Sequence, residues 1–505
     1  MLNNKSVPAS ILVLYNQPET TGHSEAGVLN EVAAVGAALD KLNIKHRQVG
    51  VHDLKETADI LGQCDERVVF NLVEGFNHNI HDVNFVPALC RSLGKAYTGN
   101  DTPALSISLD KWQSKLVLES AGLPVPKGWV VAVGHKANLK SLGKGPFIVK
   151  PVATDASEGI DFHSIVEKAG PKLAALVSQI HKEFGQPAII EKYIDGRELN
   201  VSVMQAGDEV RVLPLAEIDF RAFKKGTPRI VGYGAKWHEE SFEFNNTPRI
   251  IPAPLEGKIA DKVRWLALDA WDALGCQDYA RVDFRLDKKN NPYILEVNPN
   301  PDISPDAGFA AALAAAEIDY ADFVKVMVEN AAGRLGAVSI ENKAKASDFK
   351  SLRPSTTSDR TPVLEFLKAT GFFRPDEIDI AMEVLDEANE KGPSGHYKSY
   401  VLEEKQKAIG WICWGATPCS IGTYDIYWIA VDPAFQAKGI GSRLMNFAHE
   451  KIRQSGGRLA IIETSGKPIY HPTRKFYLKL GYCQAARVLD FYGPEDDKII
   501  YTKRV

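Results

Sequence analysis

Tyr279-Ala-Arg-Val-Asp-Phe-Arg-Leu286, Asp287-Lys-Lys-Asn-Asn-Pro292 and Tyr293-Ile-Leu-Glu-Val-Asn-Pro-Asn300 form the stretch that decides how the front of this chain folds. Both flanks alternate apolar and polar residues around a polar turn, which is the pattern of a β-hairpin. With the turn centred between Lys289 and Asn290, Asp283 faces Glu296 and Arg281 faces Asn298, so all four share one face. Two opposed carboxylates repel unless a hard divalent cation with oxygen ligands lies between them. Asp283, Glu296 and the neutral oxygen of Asn298 suit Mg²⁺, with Mn²⁺ as the alternative, because substrate phosphates and waters complete its octahedron. Arg281 would neutralise charge on a transferring phosphoryl group. A solvent-facing hairpin with cross-strand charges is the plainer reading of this segment taken alone.

Around it lie 505 residues, 45% apolar and 25% charged, which is the composition of a globular protein of several domains. Lys+Arg number 60 and Asp+Glu 64, so no basic footprint points to nucleic acid or an anionic membrane. Small-molecule chemistry is the default expectation. The six cysteines are widely spaced, without a C-x-x-C pair, which argues for a reducing compartment rather than a zinc site or disulfide framework. The apolar runs Ile11 to Tyr15 and Ala307 to Ala316 are too short for a secretory core or a membrane span, so the cytoplasm is expected.

The first hundred residues alternate strand and helix patterns: Ile11 to Tyr15, Val28 to Leu42, Val68 to Val73. One amphipathic helix is expected between Ala104 and Gly122, then Val/Ile-rich strands to about Val297, then a helical tail from Ala307 to Ala332. Gly333 to Pro362 is poor in large apolar residues and reads as a connection. Beyond it a second α/β unit is expected, with helices at Val363 to Gly371, Pro375 to Glu390 and Ile440 to Ser455, completed by the segments Leu459 to Glu463, Thr473 to Leu480 and Ile499 to Thr502.

Within the front half, Pro146-Phe-Ile-Val-Lys-Pro151 is a strand ending in Lys150, a residue able to reach nucleotide phosphates. The small polar loop Ala153 to Gly159 would serve as a phosphate-covering flap. Ile189 to Ile194 runs into an Asp195-Gly196 turn and Glu198. In this order the segments resemble the ATP-grasp superfamily, and within it the D-alanine–D-alanine ligase group, over about Ala104 to Ser304. The resemblance implies a preATP-grasp α/β domain at 1–103, an ATP-grasp domain at 104–334 and a linker at 335–348. It implies that Lys111 touches the nucleotide, Lys150 holds the α/β-phosphates, and Glu191, Lys192, Tyr193 and Ile194 form the adenine hinge. It also implies that Glu198 binds the ribose, Lys236 lies near the phosphates, Asp283, Glu296 and Asn298 hold the metal, and Arg281 is catalytic. The implied reaction uses Mg·ATP to turn a carboxylate into an acyl phosphate, which an amine opens to an amide.

The chain departs from that group where the group handles its two alanines. After Asn298 it reads Pro-Asn-Pro-Asp302-Ile-Ser-Pro-Asp-Ala307, with aspartate in place of a glycine and alanine in place of a serine. Ala156 and Trp237 replace a loop serine and a tyrosine, and Asn71-Leu-Val-Glu-Gly75 lacks a histidine. The resemblance therefore does not carry the two-alanine substrate pair over. Glu25 could bind a substrate amine, but an ordinary solvated loop carboxylate is the preferred reading.

In the rear half, Tyr427-Trp-Ile-Ala-Val-Asp-Pro433 leads through Ala434-Phe435 to Gln436-Ala-Lys-Gly-Ile-Gly-Ser-Arg-Leu444. A strand, a glycine-rich turn and a helix start present backbone N–H groups to a pyrophosphate, with Lys438 and Arg443 in support. The pattern resembles the acetyl-CoA loop of GNAT acetyltransferases, and the resemblance covers 349–505. It implies that Val431, Gln436, Lys438, Gly439, Ile440, Gly441 and Ser442 bind acetyl-CoA and that Tyr477 protonates the departing thiolate; a core tyrosine is the plainer reading of Tyr477. The general base is left open between Asp425 and Glu463.

The fold class expected is α/β and α+β multidomain, an ATP-grasp fold followed by a GNAT fold. The function expected is bifunctional: an ATP-dependent carboxylate-amine ligase acting on amino acids or peptide-like molecules, plus an N-acetyltransferase. The alternatives are a GNAT domain that regulates the ligase by sensing acetyl-CoA or acetylating it, and a ligase that acts on a protein tail or carrier. Neither nucleic acid nor membrane is an expected partner, and a homodimer is the oligomeric alternative to a monomer.

Overall fold

The computed structural model describes residues 10–18, 23–76, 80–154, 158–207, 209–224, 226–238, 240–335, 351–436, 438–494 and 496–505, without the side chains of 23–26, 80, 237, 393 and 468. These residues form two compact units, Met1–Ser339 and Ile340–Val505, both mixing helices with sheets. Among them no helix is long and apolar enough to cross a membrane.

The first unit opens with four parallel strands in the order His46–Val51, Ile11–Asn16, Val68–Leu72, Ala96–Tyr97. Ile11 to Leu14 is apolar at every position because both faces are covered. Ile11, Val13, Phe70 and Leu72 pack into the core that holds Val28, Val35 and Leu39 of helix His23–Lys41 and Val324 and Met327 of helix Tyr320–Leu335. Leu12, Leu14 and Val69 turn to the opposite core, with Leu61 and Val86.

A four-stranded antiparallel sheet follows, ordered Gly128–Val131, Ala188–Lys192, Phe147–Pro151, Ile165–Val166, and packed against helix Pro171–Phe184. The largest sheet of this unit places Arg249–Ile250, Ala216–Ile218, Arg197–Ala206, Tyr279–Leu286 and Pro292–Asn298 side by side. One face carries Leu199, Val201, Val282, Phe284 and Val297 onto Val263, Ala267 and Trp271 of helix Gly257–Leu274. Strand alternation therefore leaves the polar residues of the same strands on the opposite face, over a cleft.

The expected hairpin register holds where it matters: Arg281 pairs with Asn298 and Asp283 with Glu296. It shifts between Asp283 and Phe284, so Phe284 faces Ile294 and Leu286 faces Pro292. The connecting loop, Asp287 to Asn291, is centred on Lys289 rather than between Lys289 and Asn290. The Asp287 carboxylate accepts from the N–H groups of Lys289 at 2.8 Å and Asn291 at 2.9 Å, and Asn290 adopts φ 61°. A bulge at Leu295 absorbs the difference.

Other expectations need correction. The single helix between Ala104 and Gly122 is two, Thr102–Leu109 and Lys111–Ser120, because Asp110 turns out of helical geometry and its side chain caps the second at Trp112 N and Gln113 N. The tail is likewise two helices, Gly308–Ala315 and Tyr320–Leu335. The region expected to be strands also contains Pro171–Phe184 and Gly257–Leu274, both closed by a left-handed glycine, Gly185 and Gly275. Of the expected connection, residues 336–350 lie outside those described, while Leu352–Pro354 is already a strand and Arg360–Thr370 a helix.

The second unit is one seven-stranded sheet ordered Leu352–Pro354, Lys398–Glu404, Lys407–Ala416, Thr423–Val431, Leu459–Ser465, Asp496–Arg504, Cys483–Gly493. Only the Thr423–Val431 and Leu459–Ser465 pair is parallel. Helix Ile440–Gln454 packs on one face through Leu444 and Ala448. Helices Arg360–Thr370 and Pro375–Lys391 cover the other through Phe366 and Leu385.

Candidate active sites

The cleft of the first unit, of about 220 Å³, is lined by Lys150, Glu191, Lys192, Tyr193, Ile194, Glu198, Lys236, Arg281, Asp283 and Glu296. Sheet register explains most of this set. Arg197–Ala206 pairs with Tyr279–Leu286 so that Glu198 faces Arg285, Asn200 faces Asp283 and Ser202 faces Arg281. With Glu296 and Asn298 on the next strand, these make one polar face three strands wide.

Asp283 is the centre of that face. Arg281 grips it with Nε and Nη2, both at 2.8 Å, and Asn200 donates to Oδ1 at 2.8 Å. Glu296 is half-buried and has no hydrogen-bond or ion-pair partner among the described residues. A half-buried carboxylate across from a second one, with an amide oxygen on the same face, is a donor set that fits a hard divalent cation. The Asn298 side chain instead accepts from Asn300 N at 2.8 Å, and it lies outside the cleft lining.

The deep end holds three buried charges. Glu191 is 1% exposed, with Lys115 Nζ and Lys150 Nζ each 2.7 Å from it. Burial alone would raise the Glu191 pKa, but the two ammonium groups outweigh it and bring it down to about 2. Lys150 is likewise opposed by burial yet held above its ordinary value by Glu191 and Glu296, whereas burial wins at Lys115 and lowers it. Glu191 thus enters the site through its side chain as a charge bridge. The expected role of Glu191 is in a hinge alone, and Lys115 is not among the expected site residues.

Arg285, 3% exposed, was also passed over. It pairs with Glu198 at 3.0 Å, donates to Gly196 O at 3.1 Å and to Arg229 O, and lies 5.4 Å over the Tyr193 ring. Burial nevertheless keeps the Glu198 pKa above its ordinary value, with Arg285 opposing. Lys192 extends over the Phe147 ring at 4.3 Å. Lys111 is buried away from the lining and donates to Thr154 O. Residues 155–157 of the expected flap, Ala156 among them, and the side chains of Glu25 and Trp237 lie outside the described residues.

Gly196 fixes the entry to the central strand. A Cβ there would lie 1.8 Å from Leu286 O, a backbone atom that cannot step aside cheaply. Gly196→Ala should therefore destabilise the first unit by about 2 kcal/mol or more, read from urea unfolding of the full chain.

In the second unit, pairing of the parallel strands ends at Ile426 and Ile462, so from Tyr427 and Glu463 onward they are no longer hydrogen-bonded to each other. Beyond the first of these strands Gly439 caps helix Ile440–Gln454 with φ 77°, a left-handed conformation that suits glycine. Gly441 packs under the Phe476 ring, where a Cβ would come within 3.2 Å. Gln436 donates to Val431 O at 3.3 Å. Lys438 folds back onto Ala434 O at 3.2 Å and the Phe435 ring, while Ile440 is core and Ser442 half-buried. Tyr477 is 4% exposed, packed among Tyr482 and Tyr501, and burial raises its pKa. Asp425 lies within the paired stretch and accepts from Thr417 Oγ1 at 2.8 Å. Glu463 is the first residue beyond the paired stretch, 2.5 Å from Lys498 Nζ.

Comparison with known proteins follows this division. The D-ala D-ala ligase C-terminus family matches residues 117–329, and the acetyltransferase (GNAT) domain family matches 395–484. The D-alanine–D-alanine ligase of Gluconobacter oxydans is 30% identical over 283 residues, 56% of this chain and 86% of that protein. An uncharacterised protein of Sinorhizobium fredii, y4sG, is 30% identical over 262 residues, 52% of this chain and 74% of that protein. The crystal structure of D-alanine–D-alanine ligase from Bacillus anthracis complexed with ATP shares the fold, with a TM-score of 0.51 and 23% identity over 66% of this chain and 100% of that one.

Proposed function

The chain belongs to the D-alanine–D-alanine ligase family, with a GNAT domain C-terminal to its ligase unit, and from that premise we propose that it makes an amide from a small carboxylate and an amine with Mg·ATP and N-acetylates a related amine with acetyl-CoA. The observation that carries the ligase half is the row Asn200, Asp283, Glu296 beside Arg281 and within the same cleft as Lys150.

In this reading Asp283, Glu296 and Asn298 would hold Mg²⁺, which would supply positive charge to offset that of the nucleotide phosphates. Lys150 and Lys236 hold phosphates, Glu191 to Ile194 border the adenine, and Glu198, steadied by Arg285, takes the ribose. Arg281 leaves Asp283 to stabilise the charge on the transferring phosphoryl group as the substrate carboxylate attacks it. The amine then opens the acyl phosphate in a cleft from which water must be kept. Amino acids and peptide-like molecules are the substrate class, and the departures at Asp302 and Ala307 mark a product other than D-alanyl-D-alanine.

In the second unit the Gln436 to Ser442 turn receives the pyrophosphate, the space between the unpaired strand ends receives the acyl arm, and Tyr477 protonates the thiolate. Glu463, just beyond the paired stretch, is the better placed of the two base candidates. Tyr477→Phe keeps the ring packing and removes the proton donor, so acetyl transfer should fall roughly 10²-fold while ADP formation is unchanged. The whole reading is tested by mass spectrometry of products from amino-acid mixtures with ATP, Mg²⁺ and acetyl-CoA. A dehydrated, acetylated adduct that needs both nucleotide and acetyl-CoA is expected, and inertness of every free amino acid, with ADP released only on a protein or carrier, would overturn it.

A further inference from the structure

Arg249 is a cation of the cleft that the nucleotide reading does not use. It pairs with Ile218 on the edge of the large sheet, and Ile218 pairs in turn with Glu198, so register directs the Arg249 side chain to the face that carries the site. There it lines the same cleft as Arg281 and Asp283. Its guanidinium lies against Gly308, where a Cβ would come 3.2 Å from Nε, so glycine leaves the room it occupies.

The charge inventory of the cleft is uneven. Lys150 is committed to Glu191, Arg285 to Glu198 and Arg281 to Asp283. Arg249 makes one hydrogen bond among the described residues, from Nη1 to the Asp306 carbonyl at 3.3 Å. The Asp302 and Asp306 carboxylates act on it through space without ion-pair contact, and Arg281 repels it. Two guanidiniums sharing one cleft, one of them on an exposed residue and with that single hydrogen bond among the described residues, favour an anion between them.

That anion has to persist through the reaction. The carboxylate activated by ATP is consumed, and it must lie in line with the phosphoryl group beside Arg281 and the Asp283–Glu296 pair. Arg249 comes from the edge strand, with Ala216–Ile218 and Arg197–Ala206 between it and the hairpin. We propose that Arg249 holds the spectator carboxylate of the amine substrate, so that the acceptor is an amino acid or a peptide with a free C-terminus rather than a simple amine. This rests on the ligase reading above and makes Arg249 a specificity-determining residue for it.

Phenylglyoxal, which modifies unpaired guanidiniums, gives a test that needs no turnover. The full chain is labelled with Mg²⁺ and a non-hydrolysable ATP analogue present, and Arg249 is followed by peptide mass spectrometry. A millimolar mixture of the proteinogenic amino acids and D-alanine should slow its labelling at least about fivefold, and the matching carboxamides should not. Protection by the nucleotide alone would assign Arg249 to the phosphates and overturn the proposal, as would equal labelling in every arm or equal protection by acids and amides. In turnover, Arg249→Met should raise the KM for the amine roughly 10²-fold with little change in nucleotide affinity, and Arg249→Lys should recover part of it. A wild-type chain that shows protection but forms no ADP would defeat the ligase reading and leave the carboxylate site standing.

Discussion

Glu296→Gln is expected to stop ADP formation, a loss on the order of 10³-fold or more, and to leave acetyl transfer untouched. The replacement is nearly isosteric, and Glu296 has no hydrogen bond or ion pair among the described residues to lose, so thermal unfolding should change little. What disappears is one negative charge opposite Asp283. Asp283 is already gripped by Arg281 and Asn200, so it cannot supply the missing charge and release Arg281 as well. Raising Mg²⁺ tenfold should recover only a minor part of the rate. Parallel loss of acetyl transfer would mean that the two chemistries do not have separate sites, and an active Glu296→Gln enzyme would remove the metal from this pair of strands.

How much of this was legible in the sequence depends on the range of the interaction that decides each feature. The Asp283–Glu296 and Arg281–Asn298 pairs follow from alternation within one hairpin, a local pattern, and the structure places them so. The bulge at Leu295 was hidden because the Asp287 side chain, not strand periodicity, sets the loop. Helix Pro171–Phe184 carried a readable signal, with Leu173, Val177 and Ile180 at helical spacing and Gly185 at its end, that the strand expectation passed over. Arg285 and Arg249 had no such signal. Their placement depends on pairing with Glu198 and Ile218, 87 and 31 positions away in the chain by subtraction of the residue numbers, which no local pattern encodes. Lys115 was hidden for the same reason: its partner Glu191 comes from the other side of a sheet-forming segment.

The charge bridge at Glu191 carries the largest expected effect on stability. Lys115, Lys150 and Glu191 are 4%, 6% and 1% exposed, and among the described residues Glu191 is the one carboxylate in ion-pair contact with the two buried ammonium groups. Glu191→Leu removes the contact partner of both and should cost about 3–5 kcal/mol, a large part of the roughly 5–15 kcal/mol that holds a domain together. Hydrogen exchange over 128–192 in the full chain should show this sheet opening first. The pH dependence has a definite sign. The Glu191 carboxyl titrates near 2 in the folded chain and at about 4.3 in the unfolded one, so its contribution is complete above about pH 4.5 and is lost as pH falls towards 2. Replacing all three charges, Lys115→Met with Glu191→Leu and Lys150→Met, should restore most of the lost stability, because burying three charges is itself costly. The same triple variant should still fail to bind nucleotide, since Lys150 is the group expected at the phosphates. Recovery of stability without recovery of binding would show that the triad is kept for the ligand and not for the fold, whereas a triple variant as unstable as Glu191→Leu would reverse that assignment.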